Sequence, residues 1–411
     1  MNVAVVGLGR VGLPLALSFA DRGLDVIGVE REQAVLDQVA SGQMPYRETG
    51  TQELLERVLE TSRLELTRSV QDAAGADHIV LTLGTPAHVH IEIDMSQIKQ
   101  VVDDLLPVLR EGQSLILRST VAPGTTDWVA GYIEQRRGFR VGEDLFVAHV
   151  PERIAENHFL EEIATLPCIV GGVGEGSGAK AAELFETFGA EIVQTTPVQA
   201  ELAKIWTNIL RYTQFALPNL LMMESEQYGA NVFDVIELIN HDYPRGGMAR
   251  PGLTAGACLR KDFTFSEERS SSPGMLLAVS RVHETVPLFL VKGLKTRLGE
   301  LRDRKIAVLG LTFKRDSDDL RDSLAVKLIR LLERELAHVA RHDPHVPSQS
   351  EPLETALAGA AAVVVATNHS EFASVLAQVP PSALVVDPWN VTGSAQVFAF
   401  ADELVPARQP L

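Results

Sequence analysis

Cysteine is almost missing from this chain: Cys168 and Cys258 are the only two in 411 residues. Two thiols so far apart give neither a disulfide framework nor the paired spacing of a zinc site, so no bound metal is expected. Long apolar runs are missing too. The longest, around Ala356–Ala366, falls well short of the roughly 20 residues a membrane helix needs. No basic stretch precedes an apolar segment in Met1–Arg10, which argues against a secretory leader and for a cytoplasmic protein that does not engage membranes. Positive charge is in short supply, with 37 Lys and Arg against 54 Asp and Glu and a formal net charge of −17. Nucleic acid is therefore not an expected partner, because phosphate contacts need clustered cations. A single small anion is still allowed, since a few local cations and a helix N-terminus can hold one.

What is present is the composition of a folded protein, 45% hydrophobic and 22% charged, in a chain too long for one core. Val3–Val6 reads as a short buried strand, followed by a glycine turn and an apolar helix pattern at Leu13, Leu15, Ala16, Phe19 and Ala20. Strand signals recur at Asp25–Val29, His78–Leu83, Ser114–Leu117, Leu145–Val150 and Ile169–Gly171, with helical stretches between them. That alternation is the pattern of a parallel sheet wound on both faces. From Pro197 to about residue 240 only Pro218 and Gly229 interrupt a helical pattern, which resumes over Pro273–Leu298. Lys305–Lys314 then echoes Asn2–Arg10. The expected fold is α/β: two Rossmann-like doubly wound parallel-sheet domains, 1–195 and 296–411, joined by a helical central domain, 196–295.

Gly7-Leu8-Gly9-Arg10-Val11-Gly12 follows the first strand and opens the first helix, the context that makes a glycine triplet a dinucleotide fingerprint. Its first two glycines permit the turn and a close approach to a pyrophosphate, and the third lets helix and strand pack. Glu30 ends the second strand, placed to hold the ribose hydroxyls and to repel a 2′-phosphate. NAD is the expected cofactor, with Arg31 alongside as a softening cation. A second glycine-rich stretch, Gly171–Gly178, has no acidic residue after a following strand and reads as a plain strand-to-helix loop.

Three further segments carry chemistry. Lys204 and Asn208 stand four apart on one helix face, Cys258 and Asp262 are spaced the same way, and Thr120 follows a strand in Ser119–Thr126. Singly, each has a bland reading: a solvated lysine, a small core thiol. Together they resemble the UDP-glucose/GDP-mannose dehydrogenase family. The resemblance runs nearly end to end, through Thr85-Pro86, Ser119-Thr120-Val121 with Pro123–Thr126, Pro151-Glu152, Lys204 with Asn208, Cys258 with Lys261-Asp262, and Phe313-Lys314 followed by Asp318–Ser323.

The resemblance implies oxidation of the C6 alcohol of a UDP-sugar to the acid, in two steps that each reduce one NAD. Cys258 would attack the intermediate aldehyde to give a thiohemiacetal and then a thioester, which water cleaves. Lys204 and Asn208 would stabilise the oxyanions at C6 and aid the thiolate. Asp262, Glu152 and Thr120 would position or deprotonate the water and the sugar hydroxyl. The cofactor set is then Gly7, Gly9, Arg10, Val11, Gly12, Glu30, Thr85, Pro86, Ser119, Thr120 and Arg321. The substrate set is Glu152, Glu156, Lys204, Asn208, Arg245, Gly256, Cys258, Phe313 and Lys314. A homodimer through the helical domain is the family-based expectation.

The chain departs from the family at the loop before Cys258, where Gly256-Ala257 replaces a glycine pair in a loop one residue shorter. Pro151-Glu152-Arg153 is similar to the N-acetylhexosamine branch, whereas Glu156 is similar to the glucose branch. UDP-glucose is the favoured substrate, with a UDP-N-acetylhexosamine (mannosamine or glucosamine) as the alternative. A two-electron hydroxyacid dehydrogenase and a non-catalytic sugar-nucleotide binder are the competing classes. Cys258 and the third domain argue against the first; retention of Lys204, Asn208, Cys258 and Asp262 together argues against the second.

Overall fold

The computed structural model describes residues 1–85, 95–254, 256–267 and 274–404. Among the described residues, the first sheet has eight strands: β1 (Asn2–Val6), β2 (Asp25–Val29), β3 (Leu64–Thr67), β4 (His78–Leu81), β5 (Ser114–Leu117), β6 (Phe146–His149), β7 (Cys168–Gly172) and β8 (Ile192–Thr195). Their order is β3-β2-β1-β4-β5-β6-β7-β8, parallel throughout except where β6 meets β7. The near-continuous apolar strands follow from burial on both faces. Along β1, Val3 and Val5 join one core with Leu13 and Phe19 of the first helix, Gly12–Asp21. Ala4 and Val6 join the opposite core with Ile79, Leu81 and Leu115.

Two strands of this sheet, β3 and β8, were not expected from the sequence. Both lie at sheet edges and are only partly buried. Their polar positions Glu65 and Gln194 break the apolar run on which strand recognition relied. The glycines of Gly171–Gly178 pack helix on strand: a Cβ on Gly172 would lie 2.2 Å from the Gly178 nitrogen.

The second sheet contains β9 (Lys305–Leu309), β10 (His338–His342), β11 (Ala362–Val365), β12 (Leu384–Val386) and β13 (Phe398–Phe400), in the order β10-β9-β11-β12-β13. Among its described strands only β12 and β13 pair antiparallel. The alternation repeats, with Ile306 and Val308 facing one core and Ala307 and Leu309 the other. The helical region consists of Pro197–Gln227, Val232–Asn240, Ala257–Glu267 and Met275–Leu298. The break between the first two falls at Gly229, whose φ of +66° suits glycine. Asn231 then caps the next helix by accepting the Phe233 N–H at 3.0 Å.

The chain divides into two compact units, Met1–Thr207 with Thr264–Arg269, and Asn208–Phe263 with Ser270–Leu411. The first holds the eight-stranded sheet and the second holds the smaller one. Among the described residues no helix is long and apolar enough to cross a membrane. The apolar run at Ala356–Ala366 is divided between the end of a short helix, Leu353–Leu357, and β11.

Candidate active site

In the first unit the glycine turn after β1 is shaped as a dinucleotide cradle. Gly7 has φ +96°, and a Cβ on Gly12 would sit 1.8 Å from the Gly7 carbonyl oxygen and 2.4 Å from Thr82 Oγ1. Only glycine lets this helix begin so close to the turn. A Cβ on Gly9 would meet nothing within 4 Å, so its side of the loop is open. Glu30 is fixed beside the turn: its Oε2 accepts the Leu8 N–H at 2.8 Å and its Oε1 the Glu32 N–H at 3.1 Å. A pyrophosphate against the helix start, which includes Val11, and a ribose on Glu30 fit this arrangement.

Arg10, expected at the cofactor, and Glu156, expected at the sugar, pair with each other at 3.0 Å. The Arg10 guanidinium lies over the Tyr46 ring, and the Tyr46 hydroxyl donates to the Gly9 carbonyl at 2.6 Å.

The segment after β5 brings the next group together. The Thr85 hydroxyl donates to the Thr120 carbonyl at 2.7 Å, and Ser119 Oγ donates to the Leu81 carbonyl at 3.3 Å. Pro86 lies outside the described residues. Arg118, next to Ser119 at the end of an apolar strand, escaped the sequence reading. Its Nε (3.1 Å) and Nη2 both donate to Glu152 Oε2. Glu152 Oε1 accepts the Ile154 N–H at 2.8 Å. Glu152 is thus a buried, oriented hydrogen-bond acceptor. His149, two residues after β6's Val147, is fully buried, and burial pushes it down to about 3, so it stays neutral. Burial pushes the Cys168 thiol up, as for a structural cysteine.

Lys204 is partly buried on the helix Pro197–Gln227, and Asn208 follows one turn later. In the second unit the Asn208 amide donates to Asp262 Oδ2 at 2.5 Å, and Asp262 is fully buried, with Lys261 Nζ 3.9 Å from its other oxygen. Cys258 is the second residue of the helix Ala257–Glu267, and its side chain lies outside the described part.

The loop before Cys258 is held at two glycines. Gly256 has φ +109°, and a Cβ there would come within 2.5 Å of the Phe313 ring. The Gly252 N–H donates to Asn219 at 2.8 Å, while its α-carbon packs on the Trp389 indole. Asn219 contacts His283 Nδ1 at 3.2 Å, and His283 Nε2 reaches the Tyr212 carbonyl at 2.9 Å. Burial pushes His283 down to about 4, so the ring is neutral, accepting from Asn219 and donating to Tyr212.

Arg245 is exposed and stacks on Tyr243 at 4.6 Å. Lys314 is partly buried, and Arg321 forks onto Asp319 with Nε 2.9 Å from Oδ2. Asp316, His345 and His369 also converge. His369 Nδ1 accepts the Asp316 N–H at 2.8 Å and Nε2 faces Asp343 at 3.1 Å, which leaves that ring no lone pair for a metal.

Three models of the UDP-glucose/GDP-mannose dehydrogenase family match the chain: its NAD binding domain at residues 1–189, its central domain at 198–285 and its UDP binding domain at 307–394. The chain belongs to that family. It is an NAD-dependent nucleotide-sugar dehydrogenase, an oxidoreductase acting on CH–OH. Among its relatives is the UDP-N-acetyl-D-mannosamine dehydrogenase of Pyrococcus horikoshii, 33% identical over 382 residues and covering 91% of each chain. A solved UDP-D-ManNAc dehydrogenase from the same organism superposes with a TM-score of 0.89 at 32% identity, covering 95% of this chain and 96% of that one. A UDP-glucose dehydrogenase from Pyrobaculum islandicum gives 0.84 at 27% identity, covering 94% of each.

In this dehydrogenase the residues that the sequence reading missed all hold other residues in place: Arg118 under Glu152, Tyr46 under Gly9, and Asn219 with His283 under Gly252. Only Arg118 left a sequence signal, as a cation directly after the apolar run Leu115–Leu117.

Proposed function

We propose that this dehydrogenase oxidises a UDP-N-acetylhexosamine, UDP-N-acetyl-D-mannosamine first among them, to the uronic acid with two NAD consumed per sugar. The observation that carries this is the 33% identity, across 91% of both chains, to a relative that bears that name. Pro151-Glu152-Arg153 supports the same branch. The expectation of UDP-glucose gives way to its alternative, and Glu156, which favoured glucose, is engaged by Arg10.

NAD, when bound on the Gly7–Gly12 turn and Glu30, accepts the hydride from C6. The protein's own groups do the rest. The Cys258 sulfur bonds to the aldehyde carbon to form a thiohemiacetal, and after the second oxidation the resulting thioester is cleaved by water, returning the thiol. The Lys204 ammonium and Asn208 amide stabilise the oxyanions at C6, and Asp262 orients the Asn208 amide. Arg118 keeps Glu152 aimed as an acceptor for a water or sugar hydroxyl, and Thr120 lies on the adjoining loop. Lys314, Phe313, Arg245 and Gly256 serve the sugar nucleotide, and Ser119 and Thr85 the cofactor.

The same reading includes three domains with the divisions expected above, and a homodimer through the helical region. An apolar stripe supports the dimer: Leu202, Trp206, Leu210 and Leu217 on the helix Pro197–Gln227 are 36–58% exposed. Light scattering tests the dimer. A panel of UDP-N-acetylmannosamine, UDP-N-acetylglucosamine, UDP-glucose and GDP-mannose, followed by NADH absorbance, tests the substrate. UDP-N-acetylmannosamine is expected to have the highest kcat/KM, and a tenfold preference for UDP-glucose overturns the assignment.

A further inference from the structure

Glu201 is a fully buried carboxylate to which none of the chemistry above gives a role. It lies near the start of the helix Pro197–Gln227, three residues before Lys204. Its side chain reaches the segment that follows Thr120. Oε2 accepts the Gly124 N–H at 2.6 Å, and Oε1 accepts both the Thr126 N–H at 2.9 Å and the Thr126 hydroxyl at 2.6 Å. These donors stand at the start of the helix Thr125–Arg137, which has no side-chain cap from its own N-cap residue, Gly124. The first-turn N–H groups of a helix need an acceptor, and here it comes from 75 residues away.

The residue type is dictated by this setting. Three donors converge on the side chain, so an acceptor-only group satisfies all of them. A glutamine would place an N–H against an N–H. Burial pushes the Glu201 carboxyl above its ordinary range, against the pull of the Thr126 and Gly124 bonds, and the positive end of the Thr125–Arg137 helix favours its anion. The Ser119–Thr126 segment is also tied from the other side, by Thr85 on the Thr120 carbonyl at 2.7 Å. Two fixed points therefore bracket Thr120, and one of them is a side chain on the turn that carries Lys204.

We propose that Glu201 is a positioning residue for the dehydrogenase reaction, fixing the Lys204 turn against the Thr120 segment. A placement error of about 1 Å in such groups can lower a rate by roughly 100-fold. The inference rests on the reading of Lys204 as a catalytic group. Lys204→Ala tests that reading alone: if it keeps its kcat, the reading fails whatever Glu201 does.

With Lys204→Ala inactive, Glu201→Gln is assayed at saturating NAD and UDP-N-acetylmannosamine, at least 15 °C (roughly) below its own melting temperature. The control is Ser177→Ala, which removes a comparable buried bond, Ser177 Oγ to the Val147 N–H at 3.0 Å, elsewhere in the first unit. The expected result is a drop in kcat of about tenfold or more for Glu201→Gln, with both KM values within about threefold, against less than about twofold for Ser177→Ala. Thr126→Val, which removes one of the three donors, serves if Glu201→Gln does not fold, with an expected drop of about two- to fivefold. An unchanged kcat in the folded variant, or a drop no larger than that of Ser177→Ala, overturns the proposal.

Discussion

Replacing Arg118 by methionine keeps an unbranched apolar stem and removes the charged guanidinium that faces Glu152. In the native protein the two side chains are 5% and 11% exposed, so water screens little of their interaction. The variant strips both donors from Glu152 Oε2 and leaves only the Ile154 N–H on Oε1. It also removes the guanidinium from the Phe185 ring, 4.9 Å away, and from the Val150 carbonyl. Breaking one side of a buried ion pair costs about 3–5 kcal/mol, because an uncompensated charge stays behind. For a unit of this size each kcal/mol moves the melting temperature by roughly 2–4 °C, giving an expected fall of about 6–20 °C. Scanning calorimetry reads it directly. Glu152→Gln added to the same chain removes the orphaned charge, so the double variant should recover about 1–2 kcal/mol relative to Arg118→Met alone. An Arg118→Met protein melting within about 2 °C of the parent refutes the reasoning. So does a double variant no more stable than the single one.

Gly12→Ala forces a Cβ to within 1.8 Å of the Gly7 oxygen. It should lose about 1–3 kcal/mol of stability and at least roughly tenfold in NAD affinity, with UDP-sugar binding by calorimetry intact; unaltered NAD affinity speaks against the cradle. Glu30→Gln should erode the preference for NAD over NADP, since a carboxylate about 4 Å from a 2′-phosphate repels it by up to ~4 kcal/mol, or roughly 10³-fold, before Arg31 softens it. A parent that already uses NADP equally well contradicts that role for Glu30. Cys258→Ala should bind both ligands yet form no acid by product analysis; substantial acid would remove Cys258 as the obligatory nucleophile. His78, His149 and His283 are held neutral by burial at about 4, 3 and 4 against an ordinary 6.5. Below about 6.5 the unfolded chain takes up protons that the native state refuses. Their contribution is therefore complete above that pH and declines toward 4. Replacing His283 by phenylalanine should flatten the fall of unfolding free energy over that window, by up to about 1.4 kcal/mol per pH unit, and an identical slope argues against a neutral His283.

The glycine turn and the carboxylate beside it were legible in the sequence because their determinants are local. Gly7, Gly9 and Gly12 span one turn, and Glu30 ends the next strand. The first sheet was readable for a similar reason: strands buried on two faces give unbroken apolar runs, which failed at the edge strands β3 and β8; of the second sheet only β9 was placed, by its likeness to β1. The supporting contacts were not readable. Arg118 meets Glu152 across 34 residues, Glu201 meets Thr126 across 75, and Asn219 meets His283 across 64. No spacing rule joins residues at those distances before the strands are assembled. Glu156 is a long-range case of the same kind. It resembles a sugar-side carboxylate of the glucose branch, and it pairs at 3.0 Å with Arg10 of the glycine turn, 146 residues earlier.

The central claim, a four-electron oxidation of an N-acetylated UDP-hexosamine, is tested most directly by the NADH yield from a limiting amount of UDP-N-acetylmannosamine with NAD in excess. The account predicts about two NADH per sugar, with the uronic acid as the product, because the alcohol and then the Cys258-bound aldehyde each give up a hydride. A yield of about one NADH with a free aldehyde would contradict the covalent second half. No NADH from this sugar, with full turnover of UDP-glucose, would contradict the substrate.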